Sequence, residues 1–175
     1  VWYVGIYTQW LKRRSPENIV IGGAAGCFPV LVGWAAARGS LDATAVLLAV
    51  VVFCWTPPHF WSLATLLRED YRQANVPMLP VVASSARTSL RMLRYSVATF
   101  IASVLPVLWG GLGVAYLGVA LLSSARLCDL TLRFRRTPDT HAAHRLFGYS
   151  LLYLAILFAA AALDRTLGAP TVRLW

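Results

Sequence analysis

An all-α, multi-pass transmembrane bundle is the fold class this chain predicts, on three observations. First, 58% of its 175 residues are hydrophobic and 13% are charged, where an ordinary soluble domain carries about 25% charged residues. Second, the apolar residues gather into charge-free runs long enough to cross a bilayer, which takes about 20 residues for ~30 Å of hydrocarbon. Third, the cations fall mostly on one side of those runs. Mean hydropathy is +0.63. A water-soluble globular enzyme is excluded, because 13% charge cannot cover a wetted surface. A disordered basic tail is excluded by the apolar runs themselves.

The spans follow in chain order. Val1–Trp10 reads as the tail of a span that begins upstream. Ile19–Ala37 and Ala43–Leu67 are full runs, the second bounded by Asp42 and Arg68. Tyr95–Ala125 is too long for one span. Trp109-Gly110-Gly111-Leu112-Gly113 near its middle is a turn signal, so two helices joined by a tight hairpin are predicted, the second continuing to about Phe134. Arg126 and Asp129 lie three apart on one face of that helix and are placed to pair. Leu146–Leu163 is the last span. The expectation is five full spans plus the end of a sixth, residues 1–175 forming one transmembrane domain. There is no signal-peptide pattern, and Val1 is not a start residue, so the chain is expected to be the C-terminal portion of a longer protein.

The hairpin also satisfies the positive-inside rule. With it, Lys12, Arg13, Arg14, Arg68, Arg72, Arg87, Arg91, Arg94, Arg133, Arg135, Arg136 and Arg145 share one side, against Arg38, Arg165 and Arg173 on the other. That basic side is expected to face the cytoplasm of a bacterium, across its inner membrane, or the mitochondrial matrix. The net charge of +9 is then orientation and attraction to anionic headgroups. Nucleic acid is not a partner on this pattern, since the cations are scattered over separate loops. Cys27, Cys54 and Cys128 lack CxxC spacing and read as small core residues.

Three segments look chemical. Thr56-Pro57-Pro58-His59-Phe60-Trp61 lies within a span, where two prolines should break the helix and a histidine is costly; a kinked helix with a hydrogen-bonded histidine is the structural alternative. Arg68-Glu69-Asp70-Tyr71-Arg72 pairs adjacent carboxylates, suited to Mg²⁺, with arginines suited to phosphate oxygens; a solvated helix end with local ion pairs is its alternative. The stiff Asn75-Val76-Pro77-Met78-Leu79-Pro80 follows. Tyr7 through Asn18 carries Lys12, Arg13 and Arg14 at a membrane boundary, and Gly22 and Gly26 form a GxxxG pair suited to close helix packing. Cations and carboxylates on one membrane face suit a lipid diphosphate held through Mg²⁺ at the mouth of an apolar cavity.

The stretches YTQWLKRRSPENIVIGG (7–23), WTPPHFW (55–61) and EDYRQANVPMLP (69–80), in this order, resemble the protohaem IX farnesyltransferase (haem O synthase) branch of the UbiA-type intramembrane prenyltransferases. The resemblance covers essentially the whole chain and corresponds to the C-terminal part of a bundle of about nine helices. It implies transfer of farnesyl from farnesyl diphosphate to a vinyl group of haem B, with water addition, giving haem O and diphosphate. It implies that Glu69 and Asp70 hold Mg²⁺ and act in catalysis. Lys12, Arg13, Arg68 and Arg72 would bind the diphosphate. Tyr7, Trp55, His59, Phe60, Trp61 and Tyr71 would line the haem or prenyl cavity, with His59 not taken as an iron ligand. Haem B enters as substrate, the lipid bilayer as environment, and haem A synthase or terminal-oxidase assembly as protein partners. The family's first aspartate-rich motif, N-x-x-x-D-x-x-x-D, does not occur in residues 1–175, so this portion alone is expected to be inactive. Asn75 stands where glycine is common, and Ser15 where threonine is.

Two other readings remain open. Another UbiA-type prenyltransferase with a quinone or chlorophyll acceptor would usually carry a DxxxD-like second motif, whereas Asp70 is followed four residues later by Ala74. A transporter fragment would accommodate broken helices, but would not gather its ionisable residues at one membrane face.

Overall fold

The computed structural model describes residues 15–109 and 111–166; Tyr7, Lys12, Arg13 and the expected leading span lie outside them. All regular structure among the described residues is helical. The elements are α1 (Asn18–Gly23), a 3₁₀ turn (Ala24–Cys27), α2 (Phe28–Arg38), α3 (Ala43–Leu66), α4 (Arg68–Gln73), α5 (Leu79–Val82), α6 (Ser85–Leu108), α7 (Val114–Arg136) and α8 (Thr140–Thr166). Five stretches are long and apolar enough to cross a membrane: Asn18–Arg38, α3, α6, α7 and α8. The chain is an integral multi-pass membrane protein, with the five full spans the sequence predicts.

α3 is the central helix, with 61% of its span buried against 11% for Asn18–Arg38. Its start is capped by Asp42, whose Oδ1 accepts the Ala45 amide at 3.0 Å. The predicted break at Pro57-Pro58 is not found: α3 runs unbroken through both prolines. They remove the amides that would bond to the Phe53 and Cys54 carbonyls, yet both prolines are buried in the bundle and the helical path holds. Neighbouring hydroxyls tighten it, Thr56 donating to the Val52 carbonyl at 2.8 Å and Ser62 to the His59 carbonyl at 2.7 Å.

The third span begins at Ser85, ten residues before the charge-free run at Tyr95. Arg87, Arg91 and Arg94 occupy its first turns, where long side chains reach water from a helix end. α6 and α7 form the predicted hairpin, the Gly111 and Leu112 amides donating to the Pro106 carbonyl at 3.0 and 3.2 Å. A Cβ at Gly111 would lie 2.0 Å from Thr44 Oγ1, so only glycine lets the turn sit against the start of α3. Hydroxyl pairs set the register: Ser96–Thr131 at 2.9 Å and Ser103–Ser124 at 3.0 Å, one advancing seven residues as the other retreats seven. In hydrocarbon such interhelical hydrogen bonds replace a hydrophobic drive that lipid tails do not supply. The predicted Arg126–Asp129 pair forms at 2.6 Å, and Arg133 joins it.

Of the predicted GxxxG pair, Gly26 approaches α3, and Gly23 beside Gly22 comes closer still. Gly23 faces α3, where an added Cβ would lie 3.0 Å from Thr56 Cγ2, and Gly26 comes next, 3.7 Å from Val52. Gly22, Gly23 and Gly26 all line a cleft. Helix ends gather as the loop reading requires. Glu17 pairs with Arg91, joining the starts of α1 and α6. At the opposite end Asp164 accepts the Gly113 and Tyr116 amides at 2.6 and 3.1 Å, capping α7 from α8.

Candidate functional site

Between α1, α3 and α8, beneath α4, lies a cleft of about 930 Å³, within the range of small-molecule sites. Its walls are mostly apolar, including Ile19, Val52, Trp55, Phe60, Met78 and Leu154, with Asn18, Thr56 and Tyr71 as the polar groups. The small residues of α1 and of the 3₁₀ turn make the space, since glycines at 22, 23 and 26 project no side chain into it.

Three of the expected wall residues, Trp55, Phe60 and Tyr71, line this cleft. His59 stands behind them, 7% exposed. Its ring is stacked between Trp55 (centroids 4.4 Å) and Phe147 (4.9 Å), with Phe60 edge-on at 5.2 Å. Ser150 on α8 holds the pair: its carbonyl accepts the Trp55 indole N–H at 2.9 Å and its Oγ meets His59 Nδ1 at 2.8 Å. The Ser150 hydroxyl hydrogen is directed to the Phe147 carbonyl at 2.6 Å. His59 Nδ1–H is therefore the donor to Ser150 Oγ. Trp61 points away from the cleft, fully buried and edge-on to Tyr95 at 5.7 Å.

α4 carries the carboxylates at the rim. Tyr71 faces the cleft, and Glu69, two residues earlier, is about 160° round the helix from it. Glu69 is exposed and taken up locally: Arg72 Nε and Nη2 donate to its two oxygens at 3.0 and 2.8 Å, and Gln73 adds a third bond at 3.2 Å. The Arg72 hydrogen bonds hold the Glu69 carboxyl below the usual carboxylate range, Gln73 adding to the effect. Asp70 is also exposed. Arg68 lines a separate small pocket beside the start of α6. The loop is fixed as its stiffness suggests: Asn75 adopts φ 53°, a left-handed conformation asparagine tolerates better than most residues. The Val76 amide then returns to the Tyr71 carbonyl at 3.0 Å, and Met78 is delivered to the cleft wall.

Among the described residues no group of three or more His, Cys, Asp or Glu side chains is placed to hold a metal. Two adjacent rim carboxylates nonetheless fit part of a Mg²⁺ donor set, since that ion takes one or two carboxylates and completes its shell with water and phosphate. The three cysteines are free thiols. Ser150 and Asp164 were not legible as partners beforehand; a serine or an aspartate inside an apolar run gives no sign of what it faces.

A helical membrane bundle with an apolar cleft beside a short carboxylate-bearing helix defines the class, and its relatives agree. The chain belongs to the UbiA prenyltransferase family, matched over residues 1–163. It is similar to protoheme IX farnesyltransferases: 50% identical over 94% of this chain and 27% of a relative from Thermus thermophilus, 51% over 97% and 32% from Roseiflexus sp., and 48% over 95% and 57% from Rhizorhabdus wittichii. The chain thus spans between about a quarter and somewhat over half of these relatives' length. A solved chain of digeranylgeranylglyceryl phosphate synthase shares the fold, with TM-score 0.83 at 17% identity over 93% of this chain and 57% of that one.

Proposed function

We propose that the protein to which this chain belongs transfers a farnesyl group from farnesyl diphosphate to a vinyl group of haem B, with water addition, giving haem O and diphosphate. The observation that carries this reading is the cleft of about 930 Å³ with aromatic walls, beside the short helix α4 that carries Glu69 and Asp70. The 48–51% identity to protoheme IX farnesyltransferases supports haem as the acceptor.

The chemistry suits the residues. The allylic C–O bond breaks and its electron pair leaves with the diphosphate. The vinyl π electrons form the new C–C bond, and the resulting cation next to the porphyrin takes oxygen from water, which loses a proton to solvent. Trp55, Phe60 and Tyr71 present π faces to a developing cation and exclude stray water. Glu69 and Asp70 would hold Mg²⁺, which supplies charge neutralisation for the leaving diphosphate. For Glu69 to serve, Arg72 must let go of it, and the freed guanidinium is then available to phosphate oxygens. Lys12 and Arg13 are proposed as further phosphate partners. The basic loops are proposed to face the cytoplasm or its equivalent, with terminal-oxidase assembly as the destination of the product.

The test is mass analysis of haems extracted from membranes carrying the full-length protein, supplied with haem B and farnesyl diphosphate. A haem heavier by farnesyl plus water is expected, and Glu69→Gln with Asp70→Asn should abolish it while leaving insertion intact. Unchanged haem beside a prenylated quinone would replace the acceptor. Full activity in the double variant would remove both carboxylates from the site.

A further inference from the structure

The pocket beside Arg68 shares no lining residue with the cleft. It opens at the same end of the bundle, among the end of α3, the start of α6 and the end of α7, and Thr65, Arg68, Ser85, Thr88, Phe134 and Pro138 line it. Four observations bear on its occupant. Thr88 is 2% exposed, and its Oγ1 is buried without a hydrogen-bond partner. Arg68 makes no ion pair among the described residues, whereas Arg72, Arg91, Arg126 and Arg133 all do. The start of α6 leaves early amides without intrahelical acceptors; Ser84 Oγ takes that of Arg87 at 3.3 Å, leaving those of Ser85 and Ala86. No carboxylate lines the pocket: Glu69 is engaged by Arg72, and Asp139 by the Ala142 amide at 2.7 Å.

An unpaired guanidinium and the positive end of a 24-residue helix select for negative charge, and the buried Thr88 hydroxyl offers it a donor. The space of about 20 Å³ admits one oxygen-sized atom, a volume of roughly 10–15 Å³ being the least that holds one. We propose that this pocket binds a phosphate anion distinct from the diphosphate of the cleft. One oxygen enters to accept from the Thr88 hydroxyl, and the remaining oxygens stay at the mouth against Arg68 and the α6 amides. Phe134 and Pro138 supply the apolar part of the lining. Both a lipid phosphodiester and free phosphate carry this chemistry.

The test is native mass spectrometry of the full-length protein in neutral detergent, titrated in separate arms with phosphatidylglycerol and inorganic phosphate. Lipid held elsewhere is common to every variant, so the difference between variants reads the pocket. Thr88→Val should weaken one binding event about tenfold, as expected for losing one hydrogen bond to a charged group, and Thr88→Ser should restore it. Arg68→Gln, changing an exposed side chain, should weaken the same event and serves if Thr88→Val fails to fold. Variant-dependent lipid binding that phosphate does not displace identifies a headgroup site; variant-dependent phosphate binding identifies a free-anion site. Binding of both probes unaffected by Thr88→Val and Arg68→Gln, or of neither probe, overturns the proposal and leaves the pocket to a single water.

Discussion

At Glu69 the local ion pair and the proposed metal site compete for one carboxylate. Arg72 lowers the Glu69 pKa, so whatever the pair contributes is present above the ordinary carboxylate value of about 4.3 and is lost as pH falls through the lowered one. Both side chains are more than half exposed, so salt should weaken the pair. Arg72→Ala should bring the Glu69 titration midpoint, followed by ¹³C carboxyl shifts, back up toward the ordinary value. An unchanged midpoint would show that the pair does not persist in a membrane. Ser150 is the second residue-scale test. Ser150→Ala removes the acceptor of His59 Nδ1–H but keeps the carbonyl that accepts from Trp55. Leaving a buried donor unpaired should lower stability by about 1–3 kcal/mol, read as a lower melting midpoint in nanodiscs. No loss would mean that the imidazole finds another acceptor.

At the scale of elements, the hairpin and the hydroxyl pairs decide how α6 and α7 meet. Gly111 and Gly118 are a matched pair of probes. Gly111→Ala should destabilise by about 1–3 kcal/mol, the range for overpacking, because the new methyl meets Thr44 at 2.0 Å. Gly118→Ala, with open space around it inside α7, should stabilise by roughly 0.5–1 kcal/mol through helix propensity. Thermal melts of the two variants side by side check both signs; equal shifts would mean that the turn does not pack on α3 as described. The polar register pairs were illegible beforehand, because Ser96, Ser103, Ser124 and Thr131 look alike in a sequence and only antiparallel packing brings them face to face.

For the whole molecule, the expected outcome is one basic face. Arg68, Arg72, Arg87, Arg133, Arg135 and Arg136 lie at or near the end where α3 stops, α6 starts and α7 stops, while Arg38 and Arg165 lie at the other, both over the Trp34 ring. Single cysteines introduced at positions 87 and 136 of a cysteine-free background should react with a membrane-impermeant maleimide only from the cytoplasmic side. A cysteine at position 38 should react only from the opposite side. Labelling of all three from one side would break the antiparallel order of the spans.

The spans, the hairpin and the asymmetry of charge were determined by the sequence alone, because a bilayer imposes length, apolarity and orientation residue by residue. The candidate site was legible to the extent that composition marks it: Glu69–Asp70 stand out as the adjacent acids of a basic loop, and Trp55, Phe60 and Tyr71 as aromatics beside it. Local rules failed where packing overrides them. α3 continues through Pro57-Pro58 because the helices around it hold the path, and α6 starts ten residues early because arginines tolerate a membrane boundary. Only the tertiary structure decided that His59 supports the cleft wall from behind, that Trp61 faces away, and that Arg68 lines a different pocket from Tyr71. Which way a side chain points, and what it meets there, depends on how neighbouring helices pack, and no periodicity within one helix encodes that.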